Sequence, residues 1–198
     1  PQTLKVDGGL TNNATKNINI TASSNVIDAA INNQGFITAT HSTLTITRAS
    51  AQHINAGTIT VGSGGTINVN QSGASPSFTN TGTISIGAAR TFSVSSGEFI
   101  NNGGTLAGTG TLALSTMTLT AQLATSVPSG LTLQLTNVIV DGPGTFTNSG
   151  TLNLNNGGNT INAGFTNAGT LSTSSLANTY AGAFLNSGTW NMIPCNGA

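Results

Sequence analysis

One short phrase recurs along the chain with a period near 20 residues, and this recurrence limits the fold more than any other feature. The fullest copies read FTNTGTISI from Phe78, FTNSGTLNL from Phe146, FTNAGTLST from Phe165 and FLNSGTWNM from Phe184. Altered copies begin at Leu10 (LTNNAT), Ile31 (INNQGFI), His53 (HINAGTITV) and Phe99 (FINNGGTLA). Successive starts are 21, 22, 25, 21, 47, 19 and 19 residues apart. The 47 is close to two periods, which implies that one copy between Leu106 and Gly144 has lost its signature. A period of this length marks a solenoid in which each repeat is one coil.

Within a copy the alternation is that of a strand. Phe78, Asn80, Gly82, Ile84 and Ile86 share one parity; Thr79, Thr81, Thr83 and Ser85 share the other. The apolar set faces inward. After the turn Gly87-Ala88-Ala89-Arg90 a second strand follows, with Phe92 and Val94 inward and Thr91 and Ser93 outward. Each coil is therefore two or three short strands joined by Gly/Asn turns. No helical periodicity is present.

The fold class expected is all-β, a single-stranded right-handed parallel β-helix of about nine coils, with residues 1–198 as a single solenoid domain that is a segment or subunit of a longer fibre. Equivalent side chains then stack about 4.8 Å apart, giving a rod on the order of 40 Å long. The Asn at the third place of the phrase (Asn12, Asn33, Asn55, Asn80, Asn101, Asn148, Asn167 and Asn186) becomes one ladder along a common axis, each amide bonding the next. Stacking also accounts for the composition. Only eight of 198 residues are charged, four of each sign. Like charges repeated at strand spacing would repel, whereas Thr on Thr does not.

Zero net charge gives no electrostatic pull toward nucleic acid. No apolar run is long enough to span a membrane. Polysaccharide hydrolysis on a β-helix uses carboxylates that flank one bond, and Asp28, Glu98 and Asp141 fall several coils apart. Asp7 and Asp28, 21 residues apart, are the best candidate dyad, with Lys5 and Lys16 nearby suggesting surface pairing instead. His53 fills the Phe slot of its repeat and reads as a half-buried ring; His41 reads as a turn residue. Two histidines and one remote cysteine do not make a zinc site. No catalytic, metal or cofactor site is expected, and the chain reads as not an enzyme. Cys195 is either a free thiol or a cross-link to another chain.

The outward Thr positions, as in TLTIT (43–47), TIT (58–60) and TIS (83–85), are the remaining surface candidates. Regular T-x-T files suit an ice binder, but Asn, Ala and Gln interrupt them in TLNL, TLAL and LTLQL. The ends carry no amphipathic or charged cap, and open coil edges invite stacking. Leu4 and Val6 at one end, and Trp190 and Met192 at the other, are the candidate end-to-end contacts.

The phrase F-x-N-x-G-T-[IL]-x-[ILV], repeated through a Thr/Asn/Gly-rich, charge-poor chain from about Leu10 to Met192, resembles the β-helical repeats of bacterial surface and secreted proteins. These include autotransporter passenger domains and filamentous-haemagglutinin-like adhesins. The resemblance implies a secreted or extracellular protein of the bacterial cell surface. The expected function is structural: a β-solenoid rod of a fibre or adhesin, stacking head to tail with itself. The alternatives are an adhesive module for surface glycans and an ice-binding protein. Nine aromatics, with most phenylalanines in inward slots, weigh against a glycan platform.

Overall fold

A computed structural model describes residues 2–21, 23–174 and 177–193. These residues form strands and turns without a helix, and every strand pairing is parallel. The chain winds as a β-solenoid of about nine coils, each with three sides.

The first side runs from Gln2–Lys5 through Asn25–Asp28, Thr43–Ala49, Thr66–Ser72 and Thr91–Ser95. It continues through the first halves of Thr111–Ala121 and Thr132–Asp141, then Thr151–Asn155, Thr170–Thr173 and Thr189–Met192. The second side starts at Leu10–Asn12 and passes through Ser77–Asn80 and Glu98–Asn101 to Thr179–Tyr180. The third side is carried by two separate sheets. One spans Asn17–Ile20 to Thr105–Gly108, and the other spans Thr125–Val127 to Phe184–Asn186.

The parity read from sequence is the parity of burial. Ile67, Val69, Phe92, Val94, Leu112 and Leu114 are buried, while Thr66, Asn68, Thr91 and Ser93 between them are partly exposed. Like residues pile in columns: Ile46, Val69, Val94, Leu114, Leu135 and Leu154 occupy one register position on the first side. Phe78 and Phe99 stack with centroids 5.6 Å apart, and Phe165 stacks on Phe184 at 5.1 Å. Each such buried side chain contributes about 1.5–3 kcal/mol.

The expected single Asn ladder is corrected to two. Asn12, Asn33, Asn55, Asn80 and Asn101 are joined by Nδ2–H to Oδ1 bonds of 2.8–3.0 Å at the corner between the second and third sides. Asn148, Asn167 and Asn186 form a second ladder, bonded at 2.8 and 2.7 Å, at the corner between the third and first sides. The cause lies in the stretch where the phrase is lost. Leu119 pairs with Phe99, and Val140 pairs with Leu119, so both hold the old Phe column. The next Phe is Phe146, six residues further and one side on. The 47-residue spacing is thus two coils plus one side, and the phrase re-enters out of phase with its earlier copies.

The seam shows in the hydrogen bonds. Asn101 Nδ2 donates to the hydroxyl of Thr125 at 3.3 Å, because its paired residue on the next coil is Ala121. Asn148 opens the second ladder opposite Val127, which has no donor, and its Oδ1 is buried without a partner.

In the same stretch the corner between first and second sides shrinks to one left-handed residue, Thr116 (φ 54°), and on the next coil Asn137 (φ 53°). The two long strands therefore run across it unbroken. A left-handed Thr costs about 1–2 kcal/mol, and Asn tolerates that region better. Thr116→Asn, which copies the neighbouring coil, is expected to raise stability by about 1 kcal/mol in chemical denaturation.

Candidate functional site

Large apolar side chains are exposed on the first and last strands of the described residues. At one, Leu4 is 49 % exposed beside Ile18, Val26 and Ile27 in a groove of about 330 Å³. At the other, Trp190 is 38 % and Met192 73 % exposed on a strand that pairs only with Thr170–Thr173 among the described residues. Trp190 stands edge-on to Tyr180 and Phe184, with centroids 5.8 and 5.4 Å away. Val6 differs from the other three: it is partly buried and packs against the core. Cys195 lies outside the described residues.

Arg48 reaches both Asp7 (2.9 Å) and Asp28 (3.4 Å), so the candidate dyad is bridged by a guanidinium. The bond to Asp7, then burial and Asp28, act on Arg48, with the net effect of raising its pKa. Lys5 approaches Asp7 at 3.9 Å. Lys16 forms no ion pair among the described residues; winding brings Arg48, from the coil after Asp28, into the place expected for it. Glu98 accepts a hydrogen bond from the Thr120 hydroxyl, and Asp141 accepts one from the Gly142 N–H at 2.8 Å. Glu98 and Asp141 are two rungs apart, about 10 Å along the axis. Among the described residues no three His, Cys, Asp or Glu side chains converge as metal ligands.

His53 is fully buried, not half-buried. Its Nδ1 accepts a hydrogen bond from the Ile31 N–H at 3.3 Å, while Nε2 has no partner. Burial lowers its pKa from 6.5 to about 4. The folded state therefore holds the neutral ring between those values while the unfolded chain takes up a proton. Stability is full above about pH 6.5 and falls by about 3 kcal/mol as pH drops toward 4. His53→Phe, which restores the residue of the repeat, is expected to flatten that fall. Urea unfolding at pH 7 and pH 4.5 measures the difference. His41 is exposed in a turn at φ 66°.

Two surface features escape the sequence pattern. The first is an unbroken Thr file on the first side: Thr43, Thr66, Thr91, Thr111, Thr132, Thr151, Thr170 and Thr189. Some of these follow the Gly of the phrase and others open the strand after it, so only the one-side slip aligns them. The interruptions noted above fall in the next file, where Thr45, Asn68, Ser93, Ala113 and Gln134 follow one another. The second is an open cleft of about 570 Å³ where the corner is enlarged, lined by Gln71, Ser72, Ser75, Pro76, Ser96 and Glu98. Both amide atoms of buried Gln71 lack a protein partner there.

No helix among the described residues is long and apolar enough to cross a membrane. No protein-family model, curated protein or solved structure matches the chain.

Proposed function

We propose that this chain is a structural rod of a bacterial surface or secreted fibre or adhesin, acting outside the cell and joined end to end with copies of itself. The role is mechanical and not catalytic. The observation that supports this reading most is the parallel register along the first side from Gln2–Lys5 to Thr189–Met192, whose first and last strands, with Leu4, Trp190 and Met192 exposed, pair on one edge only among the described residues. Such edges are templates for further strands, and a heterologous contact between unlike ends propagates instead of closing. The charge distribution supports it as well, since the Asp7, Asp28 and Arg48 carboxylates and guanidinium are spent on one another. Negative-stain electron microscopy of the purified protein tests the proposal. Filaments one coil wide are expected; monodisperse short rods at all concentrations would reject it.

A second reading rests on the eight-residue Thr file. Methyl and hydroxyl groups repeated about every 4.8 Å suit a water lattice, and the ice-binding alternative predicts thermal hysteresis. The mixed neighbouring file makes this the lesser reading, and zero hysteresis would remove it.

A further inference from the structure

We infer that the enlarged corner between the first and second sides is a binding site for one neutral sugar ring, held by hydrogen bonds to Gln71, Glu98 and the serines around them. This goes beyond the rod reading and does not depend on how copies assemble. The cleft comes from a local excess of chain. Between Thr66–Ser72 and Ser77–Asn80 the corner takes four residues, Gly73, Ala74, Ser75 and Pro76. The same corner takes two on the coil before, Ser50 and Ala51, and two on the coil after, Ser96 and Gly97. The extra pair has no counterpart to stack on, and a hollow of about 570 Å³ opens beside it. That lies within the range of about 300–1,000 Å³ usual for small-ligand sites.

Gln71 supplies an independent observation. It continues the inward row of Ile67 and Val69 and is 4 % exposed, in a slot where an apolar side chain would pack without a polar group to satisfy. Neither of its amide atoms has a protein partner. Asn55 and Asn80, buried as deeply, bond the coils on both sides of them. A buried amide unbonded at both atoms weakens the fold, and it is retained here in the wall of a cleft. Its Oε1 lies against Gly97, where an added Cβ would come within 3.1 Å of it. Gly97 itself lines the cleft. The amide is thus just behind the wall, and a ligand that engages it draws it into the hollow by rotation of its own side chain.

The rest of the lining selects the ligand. The hydroxyls of Ser72, Ser75 and Ser96 are engaged by no other group among the described residues. Glu98 accepts from the Thr120 hydroxyl at Oε1, which fixes the carboxylate and leaves Oε2 for a ligand O–H. No lysine, arginine or histidine lines the cleft, and Glu98 repels an anion. A calcium ion takes several oxygens, usually with clustered carboxylates, and Glu98 is alone there among the described residues. Large apolar side chains are also missing from the wall, which leaves nothing to recognise a hydrocarbon. What lines the hollow is a set of neutral donors and acceptors with one carboxylate. Adjacent sugar hydroxyls match that set, because each both donates and accepts. No aromatic ring is among the lining residues, so recognition runs through hydrogen bonds to a single ring in a hollow and not through stacking on a flat platform.

Saturation-transfer NMR, read on the ligand, tests this on rods and filaments alike. The probes are glucose, galactose, mannose and N-acetylglucosamine, each also as its methyl glycoside, with glycerol as the control. A saturable signal from at least one sugar and none from glycerol is expected. Free sugar and glycoside responding alike would assign the site to a residue of a glycan chain; the free sugar alone would assign it to a free monosaccharide. Glu98→Gln is expected to weaken binding about tenfold. Gln71→Met is expected to abolish it without lowering the urea midpoint, since the variant removes an unbonded buried amide. No saturable signal from any of the sugars would overturn the inference, and so would unchanged affinity in both variants; the cleft would then hold water only. Either result leaves the fibre reading in place, because filaments are scored separately by microscopy.

Discussion

Asn55→Ala is expected to cost about 4 kcal/mol, with loss measured by urea or thermal unfolding. Asn55 is fully buried in the middle of the first ladder. It accepts from Asn33 and donates to Asn80, both at 2.8 Å, and its second N–H reaches the Thr83 carbonyl at 3.2 Å. Truncation leaves a buried donor on Asn33, a buried acceptor on Asn80 and a part-buried one on Thr83. Each orphaned group costs about 1–3 kcal/mol, and the vacated volume adds to that. Asn186→Ala, at the exposed end of the second ladder, should cost less than about 1 kcal/mol, because solvent replaces the lost partner. A loss at Asn55 no larger than at Asn186 would show that the ladder does not hold the coils.

The glycine of the phrase is the second point of large effect. At Gly169 a Cβ would run into the carbonyl oxygen of Gly150 on the preceding coil, and at Gly82 it would meet the carbonyl of Gly57 in the same way. Both glycines have ordinary φ, so the demand is for close approach of two backbones and not for a left-handed turn. The obstacle is main chain held by its own hydrogen bonds, including Gly169 N–H to Asn148 C=O at 2.8 Å. Gly169→Ala must push the coils apart locally and is expected to cost about 3 kcal/mol. Gly164→Ala is the control: nothing lies within 4 Å of its Cβ position, and a change within about 0.5 kcal/mol is expected. The contrast between these substitutions reads the tightness of the corner directly.

Asn and Gly thus keep their places in the phrase for different reasons. The Asn amide spends one N–H on the next coil's Asn and the other on a backbone carbonyl, as Asn148 does with Asn167 and Thr170. The Gly lets that next coil come close enough to be reached.

These physical demands explain how much of the fold was legible in the sequence. Strand parity and the 20-residue period follow from burial and stacking, and both are local or exactly repeated signals. The order of sides is not local. Leu119 and Val140 continue the Phe column without Phe, and Thr125 takes the amide bond of Asn101 without being Asn. Apolar substitution leaves no phrase to align, so the slip looked like a missing copy. The eight-Thr file was hidden for the same reason. Full burial of His53 was underread because a titratable ring in an apolar slot looks like a surface compromise, yet the Ile31 N–H gives it one partner inside. The Asp7–Arg48 contact spans 41 residues and two coils, which only the winding brings together.

The most direct test of the stacked, one-side-slipped coil is amide-to-amide NOE connectivity among the Asn side chains in protein labelled at asparagine. Two unbroken runs are expected, Asn12 through Asn101 and Asn148 through Asn186, with Asn101 linked to Thr125 and no contact between Asn101 and Asn148. A single run joining Asn101 to Asn148, or no sequential run at all, would contradict the account.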